Sequence, residues 1–411
     1  METVIRPETE MKDSGIDTVE KMPLSWSKIR LKNLVKIRTG NEDTQNATPN
    51  GKYRFYVRSP IVERCDRYTF EGEAILVAGD GAGAGRIFHL VNGRYAVHQR
   101  VYCLSDFKYN AKFVHYYLEN LFPFEMDKGS AQSTVPSMRL PMLLNFNLVL
   151  PGENECLKIV DYLDEACSKI DEIIAEAKES IDEYKKLKQS VLFEAVTKGL
   201  DKNVEMKDSG IEWIGEMPDS WNIRMLNQYV SQVKCKNSDL SETNLLSLSY
   251  GKIKRKDINS NGGLLPESFD NYNIVDENDI VLRLTDLQND HKSLRVGLVT
   301  ERGIITSAYV TIRPKKINAA YLALLLHAFD YKKGFYGMGS GIRQGLTFDG
   351  VKSLKIVVPS VFEQDDIVKH VMKMTDKCDS LIAEKESLIK DLESYKKSLI
   401  YEVVTGKRRV V

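Results

Sequence analysis

Apolar residues recur at alternating steps of three and four along residues 159–191, and the polar Ser180 occupies one of these positions. Charged residues fill most of the positions between them, so the pattern has the period of 3.5 residues that is typical of a coiled-coil seam rather than of a broad surface stripe. The spacing predicts one long helix, and its seam consists of Ile159, Leu163, Ala166, Ile170, Ile173, Ala177, Tyr184, Leu187 and Val191.

The same pattern returns 208 positions later and needs no gap. The segments that end the two patterns, 190–197 and 398–405, also match. Two helices with matching seams are most simply interpreted as partners in a coiled coil, and the alternative is that each helix packs only on its own domain. The second seam consists of Ile367, Val371, Met374, Cys378, Leu381, Leu388, Leu392, Tyr395 and Leu399.

A second repeat lies upstream of each helix. The segment 11–16 recurs at 206–211, and 22–26 recurs at 217–221, here 195 positions apart. The chain is therefore a duplication in which a leading segment, a globular domain and a long helix each occur twice. A tryptophan closes each leading segment, Trp26 in the first copy and Trp221 in the second. We expect these side chains to anchor the leading segment on its domain.

Between the repeats, the pattern changes to that of short strands separated by turns. The turn signal at 92–93, Asn followed by Gly, predicts a two-residue hairpin. Each domain is mixed α and β, so the fold class is α+β, with two similar domains, two long helices and an internal pseudo-twofold duplication. The predicted strands are 52–57, 74–78, 86–91, 95–104, 147–150, 279–284, 297–300, 308–312 and 354–358, and the predicted helices within the domains are 111–121 and 319–329.

A chain of 411 residues is too long for one ordinary hydrophobic core, so several domains are expected. We predict an N-terminal tail at 1–21, a first domain at 22–150, a long helix at 151–200, a linker at 201–216, a second domain at 217–358 and a second long helix at 359–411.

Charge is distributed unevenly along the chain, although the net charge is zero. Residues 27–150 contain 17 Lys and Arg against 11 Asp and Glu, and residues 222–358 contain 19 against 13. Each domain thus has an excess of six positive charges, whereas the first long helix is acidic. Two basic domains suit an anionic polymer such as DNA, although many domains of other functions have a similar excess.

The cellular compartment is suggested by what the sequence lacks. No apolar run reaches the roughly 18 residues of a membrane span. The acidic N-terminus has no apolar stretch of a secretory signal, and the six cysteines are scattered without a CxxC pair. We therefore expect a cytoplasmic protein, with no membrane partner, disulfide or metal site.

Motifs for catalysis are weak or missing. The segment 79–84 fits G-x-G-x-x-A after a strand, but a dinucleotide site would need a helix next, and 86–93 has the pattern of a strand and a turn. We interpret the glycine-rich segment as backbone that can approach a ligand beside Arg86, with a plain tight connection as the alternative. The chain has no Pro-Pro dipeptide, no G-x-x-x-x-G-K-S/T and no HExxH, so we predict no catalytic residue and a non-catalytic protein.

Candidates for DNA contact are basic residues that lie close to amides and hydroxyls. Arg can donate to O6 and N7 of guanine, Gln and Asn can pair with adenine, and Lys more often contacts phosphates. For any one of them, a solvated surface position is the alternative. The candidates are Arg54, Arg58, Arg86, Arg94, His98, Gln99, Arg100 and Gln132 in the first domain, and Lys252, Lys254, Arg255, Arg283, Thr285, Gln288, Asn289, His291, Lys292, Arg343 and Gln344 in the second.

The chain resembles the specificity subunit of type I restriction-modification systems over essentially its full length. The most specific segments are 207–218 with Trp221, and 356–367, which leads into a long helix that closes with 404–407. The first copy departs from this pattern, since it has Cys156 where the second has Gln364 and lacks the Glu-Trp-Ile-Gly of the second leading segment.

The resemblance implies that each globular part is a target-recognition domain for one half of a bipartite double-stranded DNA sequence. It implies that the paired helices set the spacing and dock adenine-methyltransferase subunits, and that motor-nuclease subunits complete a restriction endonuclease. It also implies that S-adenosylmethionine, ATP and Mg bind the partner subunits and that this chain binds no cofactor.

A seam of this length would span roughly 48 Å, enough to hold two domains about one turn of DNA or somewhat more apart. If the two repeats are related by a dyad of the duplex, with the helices along the DNA, the helices must run antiparallel. Two other hypotheses remain open on the sequence: a coiled-coil scaffold that joins two protein-binding domains, and an independent enzyme.

Overall fold

The computed structural model describes residues 2–129, 136–257, 268–287, 294–338 and 345–411. The chain divides into two compact units, and each contains one globular domain with parts of both long helices. The first unit is Met1–Ala177 with Glu386–Val411, and the second unit is Lys178–Lys385.

The α-helices in the described residues include the two long helices that the heptad pattern predicts, α3 and α6. They are α1 Ala111–Gly129, α2 Leu140–Asn145, α3 Glu153–Lys198, α4 Ala319–Tyr331, α5 Phe348–Val351 and α6 Val361–Val404.

The strands are short, as the sequence predicts, and most belong to the two globular domains. In the first unit they are β1 Thr3–Ile5, β2 Met11–Ile16, β3 Val19–Pro23, β4 Ser27–Arg30, β5 Lys36–Thr39, β6 Tyr53–Tyr56, β7 Glu63–Cys65, β8 Phe70–Glu71, β9 Ala74–Ala78, β10 Phe88–Val91, β11 Arg94–Val97, β12 Val101–Ser105 and β13 Asn147–Leu150. In the second unit they are β14 Met206–Asp208, β15 Glu216–Pro218, β16 Asn222–Met225, β17 Val230–Val233, β18 Leu246–Ser249, β19 Lys252–Arg255, β20 Asn273–Val275, β21 Ile280–Leu282, β22 Val296–Leu298, β23 Gly303–Ile305, β24 Val310–Pro314 and β25 Lys355–Val358, and β26 Arg408–Val410 returns to the first unit.

The first domain contains two four-stranded sheets. One is antiparallel with the order β10-β9-β12-β5, and the other has the order β7-β6-β11-β8, in which β11 runs parallel to β6. Strand β9 is an unbroken apolar run, and all of its residues are buried. The core of the domain therefore lies around β9 and the buried face of α1, where Phe113, Tyr117 and Leu121 are fully buried.

The hairpin predicted at Asn92–Gly93 is wrong. The turn joins β10 to β11, but β10 pairs with β9, while β11 pairs with β6 and β8. A turn signal determines where the chain reverses and does not select the partner strand. The fully apolar β9 supplies that partner because its burial requires a neighbour on each side.

The second domain repeats this arrangement. Strand β24 lies between β17 and β21, as β12 lies between β5 and β9 in the first domain. Helix α4 takes the place of α1, and β25 pairs with β16 as β13 pairs with β4. The internal duplication read from the sequence is thus a duplication of fold.

The two tryptophans occupy equivalent buried positions. The Trp26 indole Nε1 donates to Glu155 Oε2 at 3.0 Å, and the Trp221 Nε1 donates to Glu363 Oε1 at 2.9 Å. Each carboxylate lies in the first turn of a long helix, α3 for Glu155 and α6 for Glu363. Each leading segment is therefore tied to the start of the helix that follows its own domain.

The predicted N-terminal tail, residues 1–21, contains regular structure. Strands β2 and β3 form a hairpin, and β1 pairs with β26 from the other end of the chain. The Arg6 guanidinium donates to the Gly406 carbonyl at 3.0 Å and forms an ion pair with Glu155. Both ends of the chain therefore contribute to the first unit.

Helices α3 and α6 run antiparallel within each unit. In the first unit, Ile170 and Ile174 of α3 share an apolar core with Leu399 and Val403, near the end of α6. In the second unit, the order is reversed, and residues 192–196 near the end of α3 share a core with 367–371 near the start of α6. The start of each helix therefore packs beside the end of the other.

An ion pair between the helices occurs twice. In the first unit, the Lys396 ammonium lies 2.7 Å from the Asp171 carboxylate. In the second unit, Lys188 pairs with Asp379. The positions that lie 208 after Asp171 and Lys188 are Asp379 and Lys396, so the two pairs are copies of each other. This repetition is what an antiparallel pairing of two equal helices requires.

One of the two heptad positions that the sequence assigned to the seam is exposed along part of its length. On α3, the heptad position that directly follows it is buried instead. Ile173 and Leu187 of α3 are 45 % and 43 % exposed, and Leu388 and Tyr395 of α6 are 39 % and 55 % exposed. We call these four residues the outer apolar column. Val160, Cys167, Ile174 and Ile181 are buried on α3 instead. Both helices have apolar residues at three positions of the heptad, so the period alone could not determine which two face the partner.

The remaining seam residues are shielded to different degrees. Ile159, Leu163, Ile170, Ala177, Ile367, Val371, Cys378 and Leu399 are buried. A second group is half-buried and consists of Ala166, Tyr184, Val191, Met374, Leu381 and Leu392.

Candidate nucleic-acid interface

Three strand ends meet at one edge of the first domain. The Gly79 amide, just after β9, donates to the Arg100 carbonyl at 2.8 Å, and the His98 amide, just after β11, donates to the Tyr56 carbonyl at the end of β6 at 3.0 Å. The sequence predicted one strand at 95–104, but residues 98–100 divide it into β11 and β12. Residues 98–100 are polar or basic, and they lie at this edge because the chain turns there between β11 and β12.

The side chains at this edge include two arginines that share one carboxylate. The Arg58 Nη1 lies 2.9 Å from Asp80 Oδ1, and the Arg100 Nη1 lies 3.4 Å from Asp80 Oδ2. Asp80 is only 17 % exposed, whereas both guanidinium groups reach the solvent. We call Arg58, Asp80, His98 and Arg100 the strand-end cluster. A half-buried carboxylate that orients two exposed guanidinium groups favours bidentate contacts to phosphate or to guanine.

His98 links the cluster to the sheet. Its side chain is buried, and its Nδ1 accepts a hydrogen bond from the Arg100 amide at 3.0 Å. Burial, and next the positive charge of Arg58, lowers the pKa of His98. The neutral imidazole is the form that can accept at Nδ1, so both observations indicate a neutral side chain that fixes the backbone of Arg100.

A buried carboxylate supports the neighbouring loop. Glu42 is almost fully buried and accepts from Arg67 Nε and Nη2, each at 2.8 Å, and from Asn46 at 2.7 Å. Beside it, the Gln99 amide donates to Asp43 at 2.9 Å. The candidate Gln99 is therefore held close to the strand-end cluster by the loop that follows β5.

The glycine-rich segment borders a cleft of about 550 Å³ beside the strand-end cluster. A side chain at Gly83 would lie 2.8 Å from the Arg58 carbonyl, so a glycine is needed for this close approach. Strand β10 follows the segment, and there is no helix N-terminus at which a pyrophosphate could bind. The segment is a close-packed wall of the cleft. The cleft is lined by Thr44, Arg58, Ser59, Glu63, Asp80 and Gly81, among others.

Three other arginine candidates of the first domain do not pair with Asp80 of the strand-end cluster. Arg94 begins β11, at the opposite end from His98, and pairs with Glu71 at 3.1 Å. Arg86 pairs with Asp127 of α1, and Arg54 is an exposed residue of β6. Gln132 lies outside the described residues.

In the second domain, two candidates follow β21 as Gly79 and Asp80 follow β9. Arg283 and Thr285 are half-buried, and their segment is fixed by a hydrogen bond of 2.8 Å from the Leu346 amide to the Leu284 carbonyl. The Met138 amide donates to the Gly79 carbonyl at the same distance in the first domain. The two domains thus place equivalent segments at an equivalent edge.

The lysine and arginine candidates on β19 are exposed. Lys252, Lys254 and Arg255 lie on the β18–β19 hairpin, and Arg255 Nε lies 2.7 Å from Glu301 Oε1. The other candidates of the second domain lie outside the described residues: Gln288, Asn289, His291, Lys292, Arg343 and Gln344.

Sequence reasoning missed the residues that orient these candidates. Asp80 and Glu42 were overlooked because only basic, amide and hydroxyl side chains were considered as DNA contacts. Arg295 was overlooked because it precedes an apolar strand, and the structure shows it to be fully buried. A lone charged residue at the edge of an apolar run was the available signal for Asp80 and Arg295, whereas Glu42 lies in a polar segment that gives no such signal.

Two general features of the described residues bear on function. No helix in these ranges combines the length and apolarity that crossing a bilayer requires. The same residues contain no group of three or more His, Cys, Asp or Glu side chains that could hold a metal ion.

Comparison with known proteins connects this arrangement to one family. Residues 23–183 match the family described as the type I restriction modification DNA specificity domain. The specificity subunit of the type I restriction enzyme EcoDI from Escherichia coli is 25% identical over 182 residues, which are 44% of this chain and 40% of that protein. A putative type I restriction enzyme MjaX specificity subunit from Methanocaldococcus jannaschii is 24% identical over 304 residues, 72% of this chain and 66% of that protein. The match thus spans less than two thirds of either relative.

Solved structures have a similar fold. A chain from a structural study of complex assembly and conformational transition of the type I R-M system superposes with a TM-score of 0.68 at 13% identity, covering 94% of this chain and 99% of that chain. The HsdS subunit from Thermoanaerobacter tengcongensis superposes with a TM-score of 0.50 at 13% identity, covering 94% and 98%.

The duplicated fold and these comparisons define the fold class of the chain: two similar mixed α and β domains, each followed by a long helix. The chain is similar to the specificity subunits of type I restriction-modification systems, and residues 23–183 match the DNA specificity domain of that family.

Proposed function

We propose that this chain is the non-catalytic sequence-specificity subunit of a type I restriction-modification enzyme. Each globular domain recognises one half of a bipartite target in double-stranded DNA, and the two long helices set the distance between the halves. The observation that supports this most directly is the duplication, because two equivalent domains with equivalent exposed edges suit two half-sites. The match of residues 23–183 to a DNA specificity domain supports the same conclusion.

The strand-end cluster is the part of the first domain that we assign to DNA. Arg58 and Arg100 reach the solvent while Asp80 fixes their orientation, so the two guanidinium groups lose little conformational freedom on binding. In the second domain, the equivalent segment with Arg283 and Thr285 takes this role.

Binding assays test the proposal. The chain, assembled with its methyltransferase partner, is mixed with duplexes that contain a bipartite target or random sequence at several salt concentrations. The bipartite target should bind at least about a thousandfold more tightly than random DNA. Affinity should also fall steeply as salt rises, because phosphate contacts release counterions. Equal affinity for both duplexes would contradict the proposal.

We also infer that the paired helices bind adenine-methyltransferase subunits. In the first unit, Ile173, Leu388 and Tyr395 of the outer apolar column are exposed. They share one heptad position, and the position that follows it is that of Ile174 on α3 and of Ile389 and Lys396 on α6. Such positions lie on one side of an antiparallel helix pair. An apolar column at heptad spacing beside a closed seam suits further helices that would extend the pair into a bundle.

Assembly assays test this docking face. Ile173→Asp should leave the helix pair folded, since the side chain is exposed, and should weaken binding of the methyltransferase subunits by tenfold or more. Ser168→Asp places the same charge on the outward face of the same helix and should have little effect. Unchanged assembly by the Ile173→Asp variant would exclude this face as the docking site.

The finer roles follow from the same proposal. Motor-nuclease subunits would complete the restriction enzyme, with S-adenosylmethionine, ATP and Mg bound by the partners and none by this chain. The assembled enzyme would cleave DNA and methylate adenine in the cytoplasm. A methyl-transfer assay on the isolated chain should therefore give no product.

The outer apolar column also suits a second candidate function, a coiled-coil scaffold that joins two protein-binding domains. The salt series distinguishes the two functions. A scaffold would show weak DNA binding without preference for any sequence.

A further inference from the structure

The segment that follows β21 in the second domain is held from its inner side by one buried arginine. The Arg295 Nη1 donates to the carbonyls of Arg283 at 3.1 Å and Thr285 at 2.8 Å, and its Nη2 donates to the Asp286 carbonyl at 3.3 Å. The Leu346 amide donates to the Leu284 carbonyl between them at 2.8 Å. The carbonyls of residues 283, 285 and 286 are therefore bound by one buried guanidinium, and that of residue 284 is bound by a backbone amide.

Arg295 cannot touch DNA itself, because its side chain is fully buried. Its guanidinium stacks over the Tyr336 ring at 4.8 Å, and its backbone amide donates to Asp330 Oδ2 at 2.7 Å. Burying a cation is expensive, and an apolar side chain would fill the same space at lower cost. The hydrogen bonds to the segment and the stacking on Tyr336 offset part of this cost.

The bound carbonyls determine which side chains of the segment face outward. Leu284 and Leu287 are buried in the core, whereas Arg283, Thr285 and Asp286 remain partly exposed. Asp286 has a φ of 56°, in the left-handed region that few residues other than glycine adopt. The hydrogen bond from Arg295 to its carbonyl stabilises this conformation.

The first domain has no arginine at the equivalent place. Strand β10 pairs with β9 as β22 pairs with β21, so the registers align Ile87 with Arg295. There backbone amides bind the carbonyls of the segment, with the Gly85 amide donating to the Ala78 carbonyl at 2.9 Å and the Met138 amide to the Gly79 carbonyl at 2.8 Å. The two domains therefore shape equivalent segments by different means, glycines in one and a buried guanidinium in the other.

We propose that Arg295 is a positioning residue for sequence recognition by the second domain. It shapes residues 283–287 so that Arg283 and Thr285 face one half-site, and it contributes nothing to the half-site of the first domain. This inference rests on the proposed function, since it assumes that each domain recognises one half of the target.

The test measures sequence preference at both half-sites of one complex. The full chain is assembled with its methyltransferase partner, and bound duplexes are sequenced from a library randomised at both half-sites. The half-site of the first domain is the one whose preference changes in an Arg100→Ala complex. In Arg295→Lys, which keeps the charge but loses the planar fork, discrimination at the other half-site should fall about tenfold. Preference at the first half-site should stay within twofold, as should the affinity for random DNA.

A matched control separates positioning from general loss of stability. Arg313 pairs with Asp276 and Asp279 in the same domain, away from residues 283–287. Arg313→Lys should therefore lower the melting temperature without changing discrimination at either half-site. If both variants lose discrimination equally, or if Arg295→Lys keeps it, the positioning role is wrong.

A second variant keeps the test decisive if Arg295→Lys does not fold. Tyr336→Leu keeps the arginine and removes the ring beneath it, and it should reduce discrimination at the second half-site by about threefold. Wild-type discrimination there would count against the inference. A wild-type complex without any bipartite preference would instead overturn the proposed function, which makes the two failures distinguishable.

Discussion

At the scale of single residues, the exposed groups that face the solvent depend on buried groups behind them. Arg58 and Arg100 are oriented by Asp80, and the backbone of Arg100 is fixed by the neutral His98. Residue type and local charge made the two arginines candidates for DNA contact, together with many other residues of both domains. The supporting residues could not be found in this way because their roles arise from contacts between segments far apart in the chain.

The strand-end cluster gives the first prediction. Arg100→Ala removes one guanidinium and leaves Asp80 paired with Arg58, so the domain should stay folded while affinity for the bipartite target falls about tenfold or more. Arg94→Ala is the matched control, because Arg94 pairs with Glu71 at the other end of β11. Fluorescence anisotropy at fixed salt measures both. Equal losses for the two variants would mean that the cluster has no special role.

Two half-buried histidines give a prediction about acid stability. Burial, with a smaller effect of His89, lowers the pKa of His115 to about 4, and burial lowers that of His327 to about 4. Both are neutral in the fold, whereas an unfolded histidine titrates near 6.5. Their contribution is complete above pH 6.5 and is lost as pH falls toward 4, because only the unfolded chain then binds the proton readily.

The corresponding experiment compares His115→Gln with the wild type in urea denaturation at pH 6.5 and pH 4.5. The variant should lose about 2 kcal/mol less stability of the first unit over this range, since glutamine does not titrate. His327→Gln should do the same for the second unit. Parallel pH dependence of variant and wild type would show that the burial of these rings has no energetic consequence.

At the scale of elements, the heptad pattern predicted both long helices, and their observed bounds lie within the predicted ranges 151–200 and 359–411. The predicted strands are also close to the observed ones, since β9 and β13 have the predicted limits. The heptad positions that face the partner helix were less predictable. The column with Ile173 and Leu187 was assigned to the seam, because a period of 3.5 fits any two of the three apolar columns equally well.

The difference between the predicted and the observed seam leads to a prediction for the helix pair. Ile170 is buried between the helices in the first unit, so Ile170→Asp would bury an unpaired carboxylate and should cost about 3 kcal/mol or more. Ile173→Asp, three residues along and exposed, should cost less than about 1 kcal/mol. Thermal denaturation of the isolated chain gives both values. We also expect Ile170→Asp to relax the spacing between half-sites that the complex accepts. A smaller cost for Ile170→Asp than for Ile173→Asp would restore the original assignment of the seam.

At the scale of the whole molecule, the duplication is nearly complete. The second unit has a covalent connection from a long helix to a leading segment, and in the first unit a pairing of strands takes its place. In the second unit, α3 continues directly into the leading segment with β14. In the first unit, the end of α6 meets the leading segment through the pairing of β1 with β26. Sequence reasoning predicted a tail at 1–21 because hydrogen bonds between the two ends of a chain leave no local pattern.

Removal of residues 407–411 tests this closure. The truncation deletes β26, including the hydrogen bonds from the Arg6 amide to the Lys407 carbonyl and from the Val411 amide to the Glu2 carbonyl. The loss of a few strand hydrogen bonds should cost the first unit about 3 kcal/mol. Hydrogen exchange resolved along the chain should show faster exchange in the first unit and no change in the second. Removal of Val411 alone should have a much smaller effect, and equal protection in all three proteins would mean that β26 adds nothing.

The central claim is that the two domains recognise two separated half-sites of one DNA target. Single-molecule sequencing of genomic DNA tests it directly, by mapping methylated adenines in cells that contain this chain with its methyltransferase partner and in cells that lack the chain. The account predicts a methylated motif made of two specific parts with a fixed gap of unspecified bases, present only when the chain is present. Methylation that persists without the chain, or a chain-dependent motif with no gap, would contradict it.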